Sequence, residues 1–409
     1  MPAKPEKRRR LIFFWTYLEW GGAQVYFMAI MKEAQKDWDI LTVLPRNSSP
    51  EMIRFLEQIG IEYDFVDFQL DLGPATTIKR KIERQWSRIS SEIKTLRYLK
   101  KFDLKESILH IETCPWQSWQ FLTWLSLRKA NVFMTMHNAI TRTSSWRELL
   151  WKARMKFVSR LPGFHIFVSN KDTKAKIRHL VEPDFWEKIP VTYTCVDPVQ
   201  IKFVLAKSGT VADVRLRNGS GEDDFIILCV GQFVDRKGRW VFLEAAKIIQ
   251  QTAPEIKFVW LTSSTPTAAE QARIAGYGLE NFILILSSSI GSNREEVLEF
   301  FRIGDIYAQP SFIEGLPIAL LESMALGLPP ISTRVYAIPE AVHHRETGLL
   351  IEAGDARALA DAIIELRNDP QLRKKLATNA SEYVLANFDE RIAARIAISH
   401  YEECFDDGR

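Results

Sequence analysis

Two glutamates, Glu314 and Glu322, stand with seven residues between them in the segment PSFIEGLPIALLESMALGLP, residues 310–329. A short apolar run leads into the segment. Pro317 sits where a helix should start, and Gly327 lies just past its expected end. A helix start leaves N–H groups unpaired and carries the positive end of the helix dipole, which suits a phosphate. Gly315 lets a ligand come close to the backbone around Leu316 and Pro317. Glu314, ahead of the helix, can accept hydrogen bonds from sugar hydroxyls. Glu322, roughly one and a half turns in, can take both hydroxyls of a ribose. A phosphate and two polyols make the outline of a nucleotide sugar.

The elements that must hold these residues follow from hydrophobic patterning. The second half reads as strands at 225–231, 256–262, 282–286, 305–309, 330–333 and 349–352. Helices are expected at 239–250, 268–275, 294–301, 317–326 and 356–367. This alternation predicts a parallel sheet covered on both faces. The first half repeats the scheme, with strands at 10–15, 40–44, 108–111, 132–136 and 164–169 and helices at 23–35 and 50–59. Each half has a glycine-containing loop after its first strand. The polar stretch 207–224 lies near the expected linker, and residues 389–404 form an amphipathic helix. The fold class is α/β, with two Rossmann-like domains at 1–195 and 196–385 and a terminal helix at 386–409.

The chain has 409 residues, of which 46% are apolar and 26% charged, a globular mixture with room for two or three domains. No run approaches the ~20 apolar residues of a membrane span. The basic start followed by residues 11–15 is too short for a secretory signal and reads as a buried strand. Four scattered cysteines fit a reducing cytoplasm and argue against structural zinc. The net charge of +3 divides into +10 over residues 1–200 and −7 over the rest. A basic first half points to an anionic partner.

The segment at 310–329 resembles the EX7E signature of family-4 retaining glycosyltransferases, which have the GT-B fold. Further motifs agree in order: Gly21-Gly22-Ala23-Gln24, Thr135-Met136-His137-Asn138, Val230-Gly231 through Lys237-Gly238, and Glu346-Thr347-Gly348-Leu349-Leu350. The resemblance implies two domains facing across a cleft, with the C-terminal helix packing back on the N-terminal domain. The donor would bind in the C-terminal domain and a glycan or lipid-linked acceptor in the N-terminal one. By the same resemblance, Lys237 neutralises the leaving diphosphate and Glu322 grips the ribose. Glu314, with the backbone at Gly315 and Leu316, holds the donor sugar and its phosphates. Gly22 approaches the diphosphate and His137 the transferred sugar. Such enzymes use no metal and no cofactor beyond the nucleoside diphosphate sugar. The Asp37-Trp38-Asp39 triplet is expected to be a surface turn.

Four departures stand out. Gln232 takes the place of an arginine. Residues 262–265 (TSST) replace a glycine-rich loop, Tyr336-Ala337 a glycine pair, and Thr194-Cys195 an Asn-Gly. They leave open a weak or inactive relative acting as a binding protein. A nucleotide-sugar epimerase of the same fold is the other alternative.

Residues 79–105 hold ten basic side chains against three acidic ones. Lys79, Arg80, Arg84 and Arg88 alternate with Trp86, Ile89, Ile93, Leu96 and Leu99 at helical spacing. That is the pattern of a helix on an anionic membrane surface, or of a docked helix with a solvated basic face. Residues 146–160 repeat the mixture. Ten of the twelve tryptophans precede residue 190, and Trp20 lies near a strand end where an acceptor could stack. No nucleic-acid motif accompanies the charge. The expected location is cytoplasmic, peripheral on the inner face of the membrane.

Overall fold

The computed structural model describes residues 8–16, 22–67, 76–112, 114–137, 145–207, 209–291 and 293–406. The expectations for Trp20, Gly21 and Asn138 fall outside them. The chain forms two units. The first comprises Met1–Ser169, Thr173–Thr192 and Arg391–Arg409, and the second Asn170–Asp172 and Tyr193–Glu390.

The first unit is built on six parallel strands, in chain order β1 (Arg9–Phe14), β2 (Trp38–Pro45), β3 (Glu62–Val66), β4 (Ser107–Ile111), β5 (Asn131–Met136) and β6 (Phe164–Val168). Their order in the sheet is β3-β2-β1-β4-β5-β6. Interior strands such as β1 and β5 are near-continuous apolar runs, as parallel strands buried on both faces must be. The sequence pattern misses β3, because its residues EYDFV sit at the sheet edge and are mostly half-exposed. The expected surface turn at Asp37–Asp39 holds for Asp37 alone: Trp38 opens β2 and is buried, and Asp39 is exposed on that strand.

Five helices matter here: α1 (Gly22–Ala34), α2 (Pro50–Gln58), α3 (Ile78–Leu99), α4 (Trp119–Leu127) and α5 (Ser145–Val158). Alternation along β1 assigns them to faces. Ile12 and Phe14 join a cluster with Leu99 of α3, Leu122 of α4 and Met155 of α5. Phe13 points the other way, to Phe27 of α1 and to His110. The C-terminal helix Glu390–Asp406 also packs on that second face. Its Tyr401 hydroxyl lies 2.6 Å from His110 Nδ1. The expected apolar face of α3 is only partly buried: Leu99 packs inward with Ser91 and Thr95, while Trp86 and Ile93 are exposed.

The second unit repeats the plan with β7 (Phe225–Val230), β8 (Ile256–Thr262), β9 (Phe282–Leu286), β10 (Ile306–Gln309), β11 (Pro330–Thr333) and β12 (Leu349–Ile351). The order is β12-β11-β10-β7-β8-β9, again parallel. Along β7, Ile226 and Leu228 enter one core cluster and Ile227 and Cys229 the other, so both faces are covered. The stretch at 207–224 is no free linker. It contains the helix Val211–Arg217, whose Arg215 is buried and pairs with Asp305 at 2.6 Å.

In each sheet the strand order reverses at one point, between β1 and β4 and between β7 and β10. Ligands of open α/β sheets bind beyond the C-terminal strand ends at such a point.

Candidate active site

The loops that follow β7 and β10 meet at the second unit's reversal point. Gly238 makes the meeting close. Its φ is +73°, and a Cβ there would stand 1.8 Å from the Pro310 carbonyl oxygen. No other residue type fits that backbone approach. Phe312 N then donates to Arg236 O at 2.8 Å, joining the two loops. The result is a buried ion pair: Lys237 Nζ lies 2.5 Å from Glu314 Oε1.

Glu314 is tied from its own side as well. Gln309 Nε2 donates to Oε1 at 3.1 Å, and Ser311 Oγ donates to the same atom at 2.9 Å. Tyr307 donates its hydroxyl proton to Gln309 Oε1 at 2.8 Å, which turns the Gln309 amide nitrogen toward the carboxylate. Arg236 Nη1 lies 3.9 Å from Glu314 Oε2, and Arg236 Nη2 donates to Gln232 Oε1 at 3.1 Å. Two cations thus flank one buried carboxylate, and Gln232 holds the second cation. The altered loop at 262–265 steadies the Gln232 loop from the neighbouring strand. There Thr262 Oγ1 accepts from Phe233 N and Ser264 N, both at 3.2 Å.

Glu322 is held apart from this network. It lies on the helix Ile318–Ala325, with Pro317 as an extended N-cap residue. Leu316 buries its side chain in the core beneath, which fixes the backbone of Gly315 and Leu316 ahead of the helix. Glu322 Oε1 accepts from Arg294, the first residue of the helix Arg294–Phe300. Burial pushes the Arg294 guanidinium down to about 10, while Glu390 and Asp197 act in the opposite direction. Each glutamate of the pair therefore has its own cation, Lys237 or Arg294.

In the first unit, Gly22 is exposed at the start of α1. His137 follows β5 and packs edge-to-face with Tyr26 and Phe27 of α1, with centroids 4.9 and 5.3 Å away. Its Nε2 lies 3.9 Å from Glu112 Oε1 and has no hydrogen-bond partner among the described residues. Burial lowers its pKa to about 3, so the ring is neutral near pH 7. Lys79, Arg80, Arg84, Trp86 and Arg88 lie on α3, which covers the sheet face opposite α1. The fold does not bring them to His137.

Sequence reasoning missed Gln309, Ser311 and Arg294. Gln309 carries a signal in hindsight, a fully buried amide ending an otherwise apolar strand. Arg294 carries none, since its partner lies 28 residues away.

Residues 212–383, within the second unit, match the model of the family described as glycosyl transferases, group 1. The amylovoran biosynthesis glycosyltransferase AmsK of Erwinia amylovora is 30% identical over 215 residues, 51% of this chain and 49% of that protein. The N-acetyl-alpha-D-glucosaminyl L-malate synthase of Bacillus anthracis is 36% identical over 199 residues, 48% of this chain and 50% of that protein. The chain spans about half the length of the curated relatives it matches. Among solved structures, Anabaena HepE in complex with UDP-glucose aligns over 97% of this chain and 100% of that one, with a TM-score of 0.75 at 15% identity. A glycosyltransferase from Rickettsia africae ESF-5 aligns over 98% and 99%, with a TM-score of 0.74 at 15% identity. These likenesses fix the fold as GT-B, two α/β units each on a parallel six-stranded sheet.

Proposed function

We propose that the chain is a retaining glycosyltransferase. It moves a sugar from a nucleoside diphosphate donor to a hydroxyl of a glycan or lipid-linked acceptor in cell-envelope polysaccharide synthesis. The observation that carries this reading is the Lys237–Glu314 pair at the reversal point of the second sheet. A diphosphate leaving group gains charge as its bond to the sugar breaks, and fixed cations aimed at that charge lower the barrier. Lys237 and Arg236 are two such cations on one loop.

In this reading the acceptor oxygen bonds to the anomeric carbon as the bond from that carbon to the diphosphate oxygen breaks. The acceptor proton passes to the departing diphosphate. Glu314 and the backbone at Gly315, Leu316 and Pro317 orient the donor. Glu322, held in place by Arg294, takes the ribose. His137 gives the transferred sugar a neutral hydrogen-bonding partner, and Gly22 serves the diphosphate. Protein cations do the work a divalent metal does elsewhere, so the reaction is metal-independent. The polymer-assembly role draws support from AmsK, and from the Staphylococcus aureus relative CapM named for capsular polysaccharide biosynthesis.

A panel of UDP-, GDP- and ADP-sugars, screened by thermal shift on wild type and Glu322→Ala, tests the donor site. One donor should stabilise wild type by about 2.7 kcal/mol at a hundredfold excess over Kd and fail on the variant. Anomeric configuration in the product, read by NMR, tests retention, and activity in EDTA tests metal independence. If no nucleotide shifts wild type, the chain is a binding protein and the transfer reading is wrong.

A further inference from the structure

The outer layer of the first unit is mismatched with water. Helices α3, α4 and α5 bury one side against a single core cluster on one sheet face. Their outward sides then carry Ile78 at 77% exposure, Trp86 at 67%, Trp146 at 69% and Leu149 at 70%, with Ile82 and Leu127 also exposed. On α3, residues 78, 82, 86 and 93 fall within an arc of roughly 80° at the helical repeat. Isolated exposed apolar residues are ordinary, but large ones gathered on adjacent helices mark a contact surface.

The layer is fixed in place. Trp116 stacks on Trp151 of α5 at 4.8 Å, and Arg154 of α5 donates to Trp116 O at 3.0 Å. From the other side, Arg88 of α3 donates to Gln117 Oε1 at 3.4 Å. The short segment before α4 therefore links α3 to α5. Charge surrounds the apolar residues. Helix α3 has seven basic side chains to two acidic ones, and α5 has four to one. Lys79 and Lys81 are exposed on either side of the apolar arc of α3, and Arg147 and Lys152 are exposed on α5.

We propose that the outward face of α3 and α5 docks the chain on an anionic lipid bilayer. The apolar residues enter the headgroup boundary while the surrounding lysines and arginines meet lipid phosphates. The excess positive charge complements an anionic surface, and tryptophan flanked by basic side chains suits a half-wet, half-apolar boundary. Among the described residues no helix is long and apolar enough to cross a membrane, so the contact lies along the surface. The proposal does not depend on the transfer reaction, and its test contains no sugar donor.

Flotation of the full chain is measured with phosphatidylcholine vesicles and with vesicles that also carry phosphatidylglycerol, at low and high salt. Three paired variants are compared: Ile82→Glu with Trp86→Glu, Trp146→Glu with Leu149→Glu, and Lys79→Glu with Lys81→Glu. All six side chains are exposed, so unchanged melting temperatures are expected and confirm folding. The proposal expects binding to anionic vesicles only, weakened by salt. It expects every pair to lower binding at least about tenfold. Absence of binding to anionic vesicles overturns it. Loss in the charge-reversed pair alone also overturns it, because that is plain electrostatic adsorption. If light scattering shows self-association that the apolar-to-glutamate pairs abolish, the face joins copies of the chain and the bilayer reading is discarded.

Discussion

The two units share one sheet topology but place different electrostatics at their strand ends. In the second unit, two buried carboxylates are interlocked with cations: Glu314 with Lys237, Glu322 with Arg294, and the half-exposed Arg236 close beside Glu314. In the first, a buried neutral imidazole packs edge-to-face with two aromatic rings, and the Glu112 carboxylate lies 3.9 Å from its Nε2. Burying ions is costly unless each has a well-placed partner. A unit that accepts that cost has its cations positioned before any ligand arrives, as binding a fixed diphosphate requires. A neutral ring makes no such demand and suits hydroxyl groups whose arrangement varies. The comparison teaches that one sheet topology can carry interlocked ion pairs at one set of strand ends and a neutral ring at the other.

The largest break is expected at Gly238. Gly238→Ala must strain a left-handed backbone and push against the Pro310 carbonyl, a loss of roughly 2–5 kcal/mol. Hydrogen exchange should show lower protection in β7 and β10 and unchanged protection in β1 and β5. Equal losses in both sheets would mean that the second unit's rigidity is not a local property.

Next comes Lys237→Ala, which in the proposed reaction removes a cation aimed at the leaving group. Turnover at saturating donor should fall ~10²–10³-fold. Glu314→Gln retains an oxygen acceptor for Ser311 and Gln309 and should cost less. Intact turnover in Lys237→Ala would reduce the pair to a structural salt bridge.

How far these features are legible in the sequence differs between the units for a physical reason. Strands buried on both faces must be apolar throughout, so β7, β8 and β1 are readable from composition. The edge strand β3 has no such obligation, and Glu62 and Asp64 hide it. Loop residues with one role, such as Glu314, Gly315 and Lys237, are visible because their types and spacing are unusual together. Arg294 and Ser311 matter only through the atoms they reach, and nothing in their spacing announces that. For α3, the repeat of apolar residues is readable, but periodicity alone does not say which stretch is covered. Burial at Leu99 with exposure at Trp86 depends on where the sheet ends beneath the helix.

A smaller effect should separate the units by pH. Burial holds His137 at about 3 and His110 well below its usual value. Unfolded histidine titrates near 6.5. Between the two values the unfolded chain binds more protons, so stability is full above about pH 6.5 and falls as the pH drops toward 3. His137 alone accounts for about 2 kcal/mol by pH 5. Urea unfolding against pH should show the loss, and His137→Asn should reduce it to the part that His110 contributes. A loss confined to the second unit would reverse the assignment of neutral and charged halves.

The smallest effect carries the finest distinction. Gln232 stands where the family it resembles has arginine, and the simple inference is one cation fewer. The geometry gives another account: Gln232 Oε1 accepts from Arg236, whose guanidinium flanks Glu314. A cation stands four residues along the loop, with the Gln232 amide to hold it. Arg236→Ala should therefore weaken donor binding about tenfold, the worth of one charge-assisted contact at a partly exposed site. Gln232→Ala should weaken it less, because Arg236 remains but is loosely held. The double variant should be no worse than Arg236→Ala alone, since a residue acting only through Arg236 has nothing left to support. Additive losses, measured by donor titration, would give Gln232 a contact of its own with the donor. An effect of Gln232→Ala as large as that of Arg236→Ala would make the amide the principal ligand, and the second unit's charged half would rest on Lys237 alone.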